Sequence, residues 1–242
     1  MTTPEVVNTT PQKTSAFEDI VDIFHAPSAV FARRREDPRF WAPLLILAVL
    51  MTIGIWLMMQ NLSNVLDAEF ARQSAKVMRE NPQITEDQLA NMRKMAGIVA
   101  PIGAAFGAFV SVFLLGVGVW VIGKFFDSKA NLAQAMVIAT FASFPKIIDL
   151  ILAAVMGMAL DTSDITSMYA ATPSAARFAG EQAPSVLAVL SRISIGTIWA
   201  TILIGIGLHV IGRIEKGKAY TAAAILWVLA TIMTVGGAMR QG

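Results

Sequence analysis

One stretch of this chain occurs twice. Leu114–Ala130, LLGVGVWVIGKFFDSKA, returns as Leu203–Ala219, LIGIGLHVIGRIEKGKA, at a fixed offset of 89 residues and without a gap. The glycines keep register (Gly116 with Gly205, Gly118 with Gly207, Gly123 with Gly212), and so do the basic residues (Lys124 with Arg213, Lys129 with Lys218). The match reaches back to Gly107 with Gly196 and forward to Ala135 with Ala224. Apolar letters alone coincide by composition; glycines, a polar turn and its two cations in common register mark a duplicated unit. Each copy reads as an apolar helix, a short basic turn and a second apolar helix. The chain is therefore built on a doubled helical hairpin.

Such hairpins belong in lipid. Apolar residues make up 55% of the sequence and charged residues 15%, more than polar surface on a soluble domain of this length can cover. The net charge of +2 is scattered over turns and flanks, which gives no reason to expect a nucleic-acid partner. The absence of cysteine removes disulfides, thiolate metal sites and cysteine nucleophiles.

Along the chain, residues 1–16 read as a disordered tail, with no compact basic region before an early apolar run and hence no signal peptide. Residues 17–39 form an amphipathic segment: Phe17, Ile20, Val21 and Phe24 follow helical spacing, with Glu18, Asp19 and Asp22 on the other face. It reads either as a helix on the membrane surface or as one packed on the cytoplasmic turns. The transmembrane domain covers 40–239, with spans at about 40–59, 96–123, 130–160, 187–212 and 219–239; the first has the ~20 residues that a ~30 Å hydrocarbon core demands, and the third is too long to cross upright. Between the first two spans lies a charged stretch with a helix start, in which Thr85 and Gln88 form a capping box. Pro101 predicts a kink in the second span and Pro145 a break in the third.

Basic residues set the orientation. Arg33, Arg34, Arg35 and Arg39 and both basic turns fall on one side of a five-span chain. The N-terminus is therefore expected in the cytoplasm and the C-terminus on the opposite side of an inner (plasma) membrane. The two hairpins then run in the same sense, related by an axis along the membrane normal.

Three ionisable residues interrupt the spans: Lys146, Asp149 and Arg192. Counted from the cytoplasmic turns at 1.5 Å per residue, Asp149 lies roughly 27 Å deep, Arg192 roughly 30 Å and Lys146 roughly 22 Å. Equal depth predicts an Asp149–Arg192 ion pair, with Lys146 one turn away. This cluster is either a structural clasp or the lining of a wet cavity beside the Pro145 break, able to move a proton or an anion. The glycines Gly103, Gly107, Gly116, Gly118, Gly196, Gly205 and Gly207 are read as helix-packing positions, where a missing side chain lets a second helix approach.

No catalytic constellation, metal site or cofactor loop stands out. His25 and His209 are far apart, and the methionines are dispersed. GVGVWVIG and GIGLHVIG lack the dinucleotide spacing and follow no strand. His209 falls opposite Trp120 of the other copy, which suits an interfacial ring.

The segments AFEDIVDIFHAPSAVF before the first span, FASFPKIIDLIL in the third and GKAYTAAAILWVLATI after the second basic turn together resemble the Yip (Ypt-interacting protein) domain family in its bacterial form. The resemblance covers roughly Phe17–Met239. It implies five transmembrane helices and a cytoplasmic N-terminus. Eukaryotic members bind Rab-type GTPases; the DLYGP-type motif is absent here, so the resemblance carries over no GTPase-contact residue. The expectation is an all-α, five-span, non-enzymatic membrane protein without cofactor. It would act as a membrane-organising or adaptor protein, its partners the lipid bilayer and other membrane proteins or a second copy. The alternative is a small transporter or channel using Lys146, Asp149 and Arg192.

Overall fold

A computed structural model of the chain describes residues 15–159, 172–180 and 182–241. Nearly all of them are helical: α1 (Ala16–Asp22), α2 (Pro27–Glu36), α3 (Trp41–Asn61), α4 (Ser63–Glu80), α5 (Glu86–Phe125), α6 (Leu132–Ser143), α7 (Lys146–Ala159), α8 (Pro184–Ser191), α9 (Ile195–Val210) and α10 (Lys216–Gln241). A 3-10 turn, Ala175–Phe178, lies before α8. Residues 1–14 of the expected tail, the end of the expected third span at 160, and residues 161–171, 181 and 242 lie outside the described residues. The expected boundary at residue 16 falls inside a helix start, because the Ser15 hydroxyl caps α1 by accepting from the Glu18 amide.

The protein is an all-α polytopic membrane protein. Among the described residues four stretches are long and apolar enough to cross a bilayer: α3, Ile102–Phe125 of α5, Leu132–Met158 across α6 and α7, and Lys216–Met239 of α10. The fifth, α9, has 16 residues, about 24 Å against a hydrocarbon core of ~30 Å. The expected span at 187–212 is not one helix. Ser194 takes extended backbone angles and caps α9, so the apolar run is cut between Ser191 and Ile195. The repeat mate of that cut, Gly103–Ala105, lies within the unbroken α5. α5 also passes through residue 101 without interruption, whereas Pro145 does separate α6 from α7.

α6 is the centre of the bundle. Every residue from Ala135 to Ser143 is buried, as a helix apolar all round must be. It lies between α5 and α9, with α3 and α2 completing the wall; α10 packs along α9, α8 and α5, and α7 along α3.

The repeat is visible as packing. Glycine in each leading helix lets two neighbours approach, and the two copies use it in the same way. A Cβ on Gly116 of α5 would collide with Met136 of α6, its own hairpin partner, and one on Gly205 of α9 would meet the Tyr220 ring of α10 at 2.6 Å. The next glycines face across: Gly118 of α5 sits against Leu226 of α10 (3.2 Å), and Gly207 of α9 against Ile138 of α6 (2.7 Å). This reciprocal exchange is what two parallel copies around one axis produce. Both basic turns lie at the same end, where the Lys129 amide donates to the Gly212 carbonyl (2.9 Å). The turns are not identical: the left-handed residue is Asp127 (φ 61°) in the first and Arg213 (φ 56°) in the second. α10 accordingly starts earlier in its copy than α6 does.

At the opposite end α4 and the first part of α5 extend beyond the apolar stretch. α4 has 18 residues, about 27 Å, and α5 begins at Glu86, its last charge before the apolar run being Lys94. The reciprocal Thr85–Gln88 capping box starts the second arm (3.3 and 3.0 Å). Arg93 pairs with Asp67 across the arms and lies 5.5 Å over the Phe70 ring.

Candidate functional site

The charged residues of the spans gather where two helix breaks meet. Proline at 145 cannot donate an amide to the α6 ladder, so α6 stops and α7 restarts at Lys146. The cut before α9 lies against it: a Cβ on Gly196 would come 2.7 Å from the Pro145 carbonyl oxygen and 2.6 Å from the Asp149 carboxylate. Asp149, in the first turn of α7, reaches across to the start of α9. One carboxylate oxygen accepts from the Ser194 hydroxyl (2.7 Å) and the other from the Gly196 amide (3.0 Å). Ser194 in turn accepts from the Thr197 amide (3.1 Å). An anion at the exposed amides of a helix start is stabilised by those donors and by the helix dipole. Asp149 is thus an interhelical cap.

The expected Asp149–Arg192 ion pair does not form. The depth count assumed an unbroken fourth span, but Arg192 lies at the end of α8, outside the register of α9. That leaves Ser194 and Gly196 as the groups facing Asp149. The Arg192 carbonyl accepts from the Trp227 indole (3.4 Å), while its buried Nε has no hydrogen-bond partner among the described residues. Lys146 lies within electrostatic reach of both Asp149 and Arg192 but makes no hydrogen bond or ion pair among the described residues. The three residues are neighbours, as expected, without being a closed clasp.

The seven glycines divide in two. Gly116, Gly118, Gly196, Gly205 and Gly207 each have a neighbouring atom where a Cβ would stand. Gly103 and Gly107 have nothing within 4 Å; they face outward, because α5 turns Ala108, Val112 and Val119 to the bundle instead.

A second charge network, at the basic-turn end, was not recognisable as buried from the sequence. Asp19 is 0% exposed, against its expected place on a polar face, while Phe17 and Val21 point outward. Its carboxylate accepts from Arg33 (Nε 3.0 Å, Nη2 2.7 Å) and from Arg34 Nε (2.6 Å), and Arg33 also reaches Asp22 (2.6 Å). Partial burial works to lower the Arg33 pKa, but hydrogen bonds and charge from Asp19 and Asp22 outweigh it and raise it. Ion pairing makes this burial possible, and the available signal was two acids one turn apart followed, past Pro27, by three arginines. The clamp holds α1 on α2, and α2 lies on α9 and α6, where the Gln134 amide donates to the Arg35 carbonyl (2.8 Å). His209 bonds the Ile214 carbonyl through Nδ1 (2.7 Å), bridging its own turn.

Among the described residues, clefts that are almost wholly apolar open on the bundle, three of them as follows. One of about 500 Å³ lies among Trp41, Leu44, Phe109, Phe113, Leu132 and Met136. One of about 570 Å³ lies beside Met156, Arg177, Phe178 and Ser194, and one of about 240 Å³ between Ile198, Tyr220 and Trp227. Lys146, Asp149 and Arg192 line none of these three.

A family model described as Yip1 domain matches residues 21–237. The chain is similar to Membrane protein YknW of Bacillus subtilis (strain 168), with 26% identity over 213 residues that cover 88% of this chain and 87% of that protein. No solved structure matches.

Proposed function

This chain belongs to the Yip1 domain family, and from that premise we propose that it is a non-enzymatic membrane-organising or adaptor protein. It works through contacts with lipid and with other membrane proteins. The observation that carries this reading is how Asp149 is used: its two oxygens are occupied by Ser194 and Gly196, which makes the one acid of that cluster a piece of scaffolding. A proton-coupled carrier would instead hold its carboxylate toward a polar cavity. The alternative, a small-solute transporter or channel, draws support from the two cations, since the buried Nε of Arg192 has no hydrogen-bond partner among the described residues and Lys146 stands beside it. The same reading places the basic turns and the N-terminus in the cytoplasm of a bacterial inner membrane and the α4–α5 arms outside.

Purified protein reconstituted in liposomes tests it. Proton and anion fluxes at the level of protein-free liposomes are expected, with and without Asp149→Asn. A pH-dependent flux that Asp149→Asn abolishes would replace the adaptor reading by the transporter one. Fusions of a reporter at Lys129, Lys218 and residues 81–84 test the orientation, with the first two expected on one side and the third on the other.

A further inference from the structure

Two cations stand at the meeting of the helix breaks, and the acid beside them is already engaged. Asp149 commits its two oxygens to the Ser194 hydroxyl and the Gly196 amide, both at the start of α9. Lys146 lies one turn away on a different face of α7. Four and eleven residues on, Leu150 and Gly157 share that face, and they pack against Gly54 and the Asn61 carbonyl of α3. The exposed residues Ile151, Val155 and Met158 are on the other side. Lys146 therefore belongs to the bundle side of its helix and is half-buried there. Arg192 comes from the end of α8, which lies against α10, where the Trp227 indole holds its carbonyl. Its Nε is buried without a hydrogen bond among the described residues, and its charge reaches Lys146.

The height of this pair decides what it needs. α9 runs 16 residues from the break to the basic end, about 24 Å, which puts the break roughly 6 Å inside the far edge of a ~30 Å hydrocarbon core. Two cations and one engaged carboxylate leave a positive charge over at that depth. Cations in a span are held beside an anion, and two that face each other repel without one. A guanidinium offers a planar fork and an ammonium a point charge, so one tetrahedral oxyanion can accept from both. A phosphodiester carries the single negative charge that the cluster lacks, and the headgroup layer that holds phosphodiesters begins just beyond this height.

We propose that Lys146 and Arg192 are the two sides of a binding site for one singly charged phosphate group, held where the breaks of the third and fourth spans meet. Asp149 is its positioning residue: by capping α9 it fixes the start of α7, and with it Lys146, against the turn that carries Arg192. Its own charge also turns away a second anion, which limits the site to one. The phosphate group comes either from a lipid of the far leaflet or from solution, and the two sources give different results below.

The test uses protein washed free of lipid in a neutral detergent, in chloride buffer of constant ionic strength. Phosphatidylglycerol added to the micelles is one probe and inorganic phosphate the other. At about a hundredfold excess over half-saturation, a probe that fills the site should raise the melting temperature by roughly 5–10 °C. A rise with phosphatidylglycerol alone assigns the site to a lipid headgroup, and a rise with inorganic phosphate assigns it to an anion from solution. Without a probe Arg192→Ala should melt with the unmodified protein. With one, Arg192→Ala and Lys146→Met should need at least about tenfold more probe for half-saturation, and Arg192→Lys, which keeps the charge and loses the fork, should fall between. Native mass spectrometry should find one phosphate-bearing molecule on the unmodified protein and none on Arg192→Ala or Lys146→Met. No rise with either probe, a rise that extra chloride matches, or variants that respond like the unmodified protein would overturn the proposal. Asp161, Asp164 and Glu181 lie outside the described residues. A response seen only after Asp161→Asn, Asp164→Asn and Glu181→Gln together would make one of these acids the counter-ion and overturn it as well. None of these results depends on liposome flux, which decides the adaptor reading.

Discussion

Alanine at Asp149 and Arg192, singly and together, separates an interhelical cap from an ion pair. Asp149→Ala removes the acceptor of two hydrogen bonds, from the Ser194 hydroxyl at 2.7 Å and the Gly196 amide at 3.0 Å. Hydrogen bonds to a charged group contribute ~1.5–3 kcal/mol in proteins generally, and interhelical polar contacts in membranes nearer ~0.6–1.7 kcal/mol. Two such bonds set the expected loss at about 1.5–3 kcal/mol, and Asp149→Asn, which keeps one acceptor oxygen, should lose about half of that. Arg192→Ala removes no ion pair and keeps the carbonyl that Trp227 bonds, so its change should stay within about 0.5 kcal/mol. The coupling between the two sites should likewise be under about 0.5 kcal/mol. A buried ion pair would behave otherwise, with ~3–5 kcal/mol lost from either side and strong coupling. Unfolding in mixed micelles by SDS titration measures all four variants. Equal losses at both residues, with a coupling above about 1.5 kcal/mol, would refute the cap.

Asp19→Ala leaves Arg34 buried without its carboxylate and should cost about 3–5 kcal/mol, read as a lower melting temperature and faster protease cleavage within residues 15–39. Gly205→Ala and Gly207→Ala push a methyl group against Tyr220 and Ile138 and should each cost ~1–3 kcal/mol in the same SDS titration. Gly107→Ala, with open space around it, should be neutral or stabilise by up to ~1 kcal/mol through helix propensity. Gly196→Ala drives a methyl between the Asp149 carboxylate and the Pro145 carbonyl. It should reproduce the loss of Asp149→Ala and add little to it in the double variant.

Some of the candidate site was legible because its causes are local. Pro145 lacks the amide that a helix ladder needs whatever surrounds it, and the Thr85–Gln88 box needs only residues three apart. Lys146, Asp149 and Arg192 stand out in apolar runs for the same reason. Their pairing was not legible. Charge and equal depth favoured Arg192 as the partner of Asp149, but the cut at Ser194 offered backbone and hydroxyl donors at closer range. The face of α1 was misassigned on similar grounds: amphipathic spacing puts Asp19 in water until Arg33 and Arg34, from another helix, make its burial tolerable.

The sequence by itself determined the all-α membrane class, the doubled hairpin and the common end of the two basic turns. Composition, repeat register and chain direction are properties of the chain before it folds. Only the tertiary structure decided which glycines touch a helix, which of the two copies is broken, and what Asp149 holds. A glycine in lipid reads the same whether it faces Tyr220 or nothing. A carboxylate in a low-dielectric bundle binds whichever donors the packed backbone brings within hydrogen-bond reach, and that distance does not exist until the helices have met.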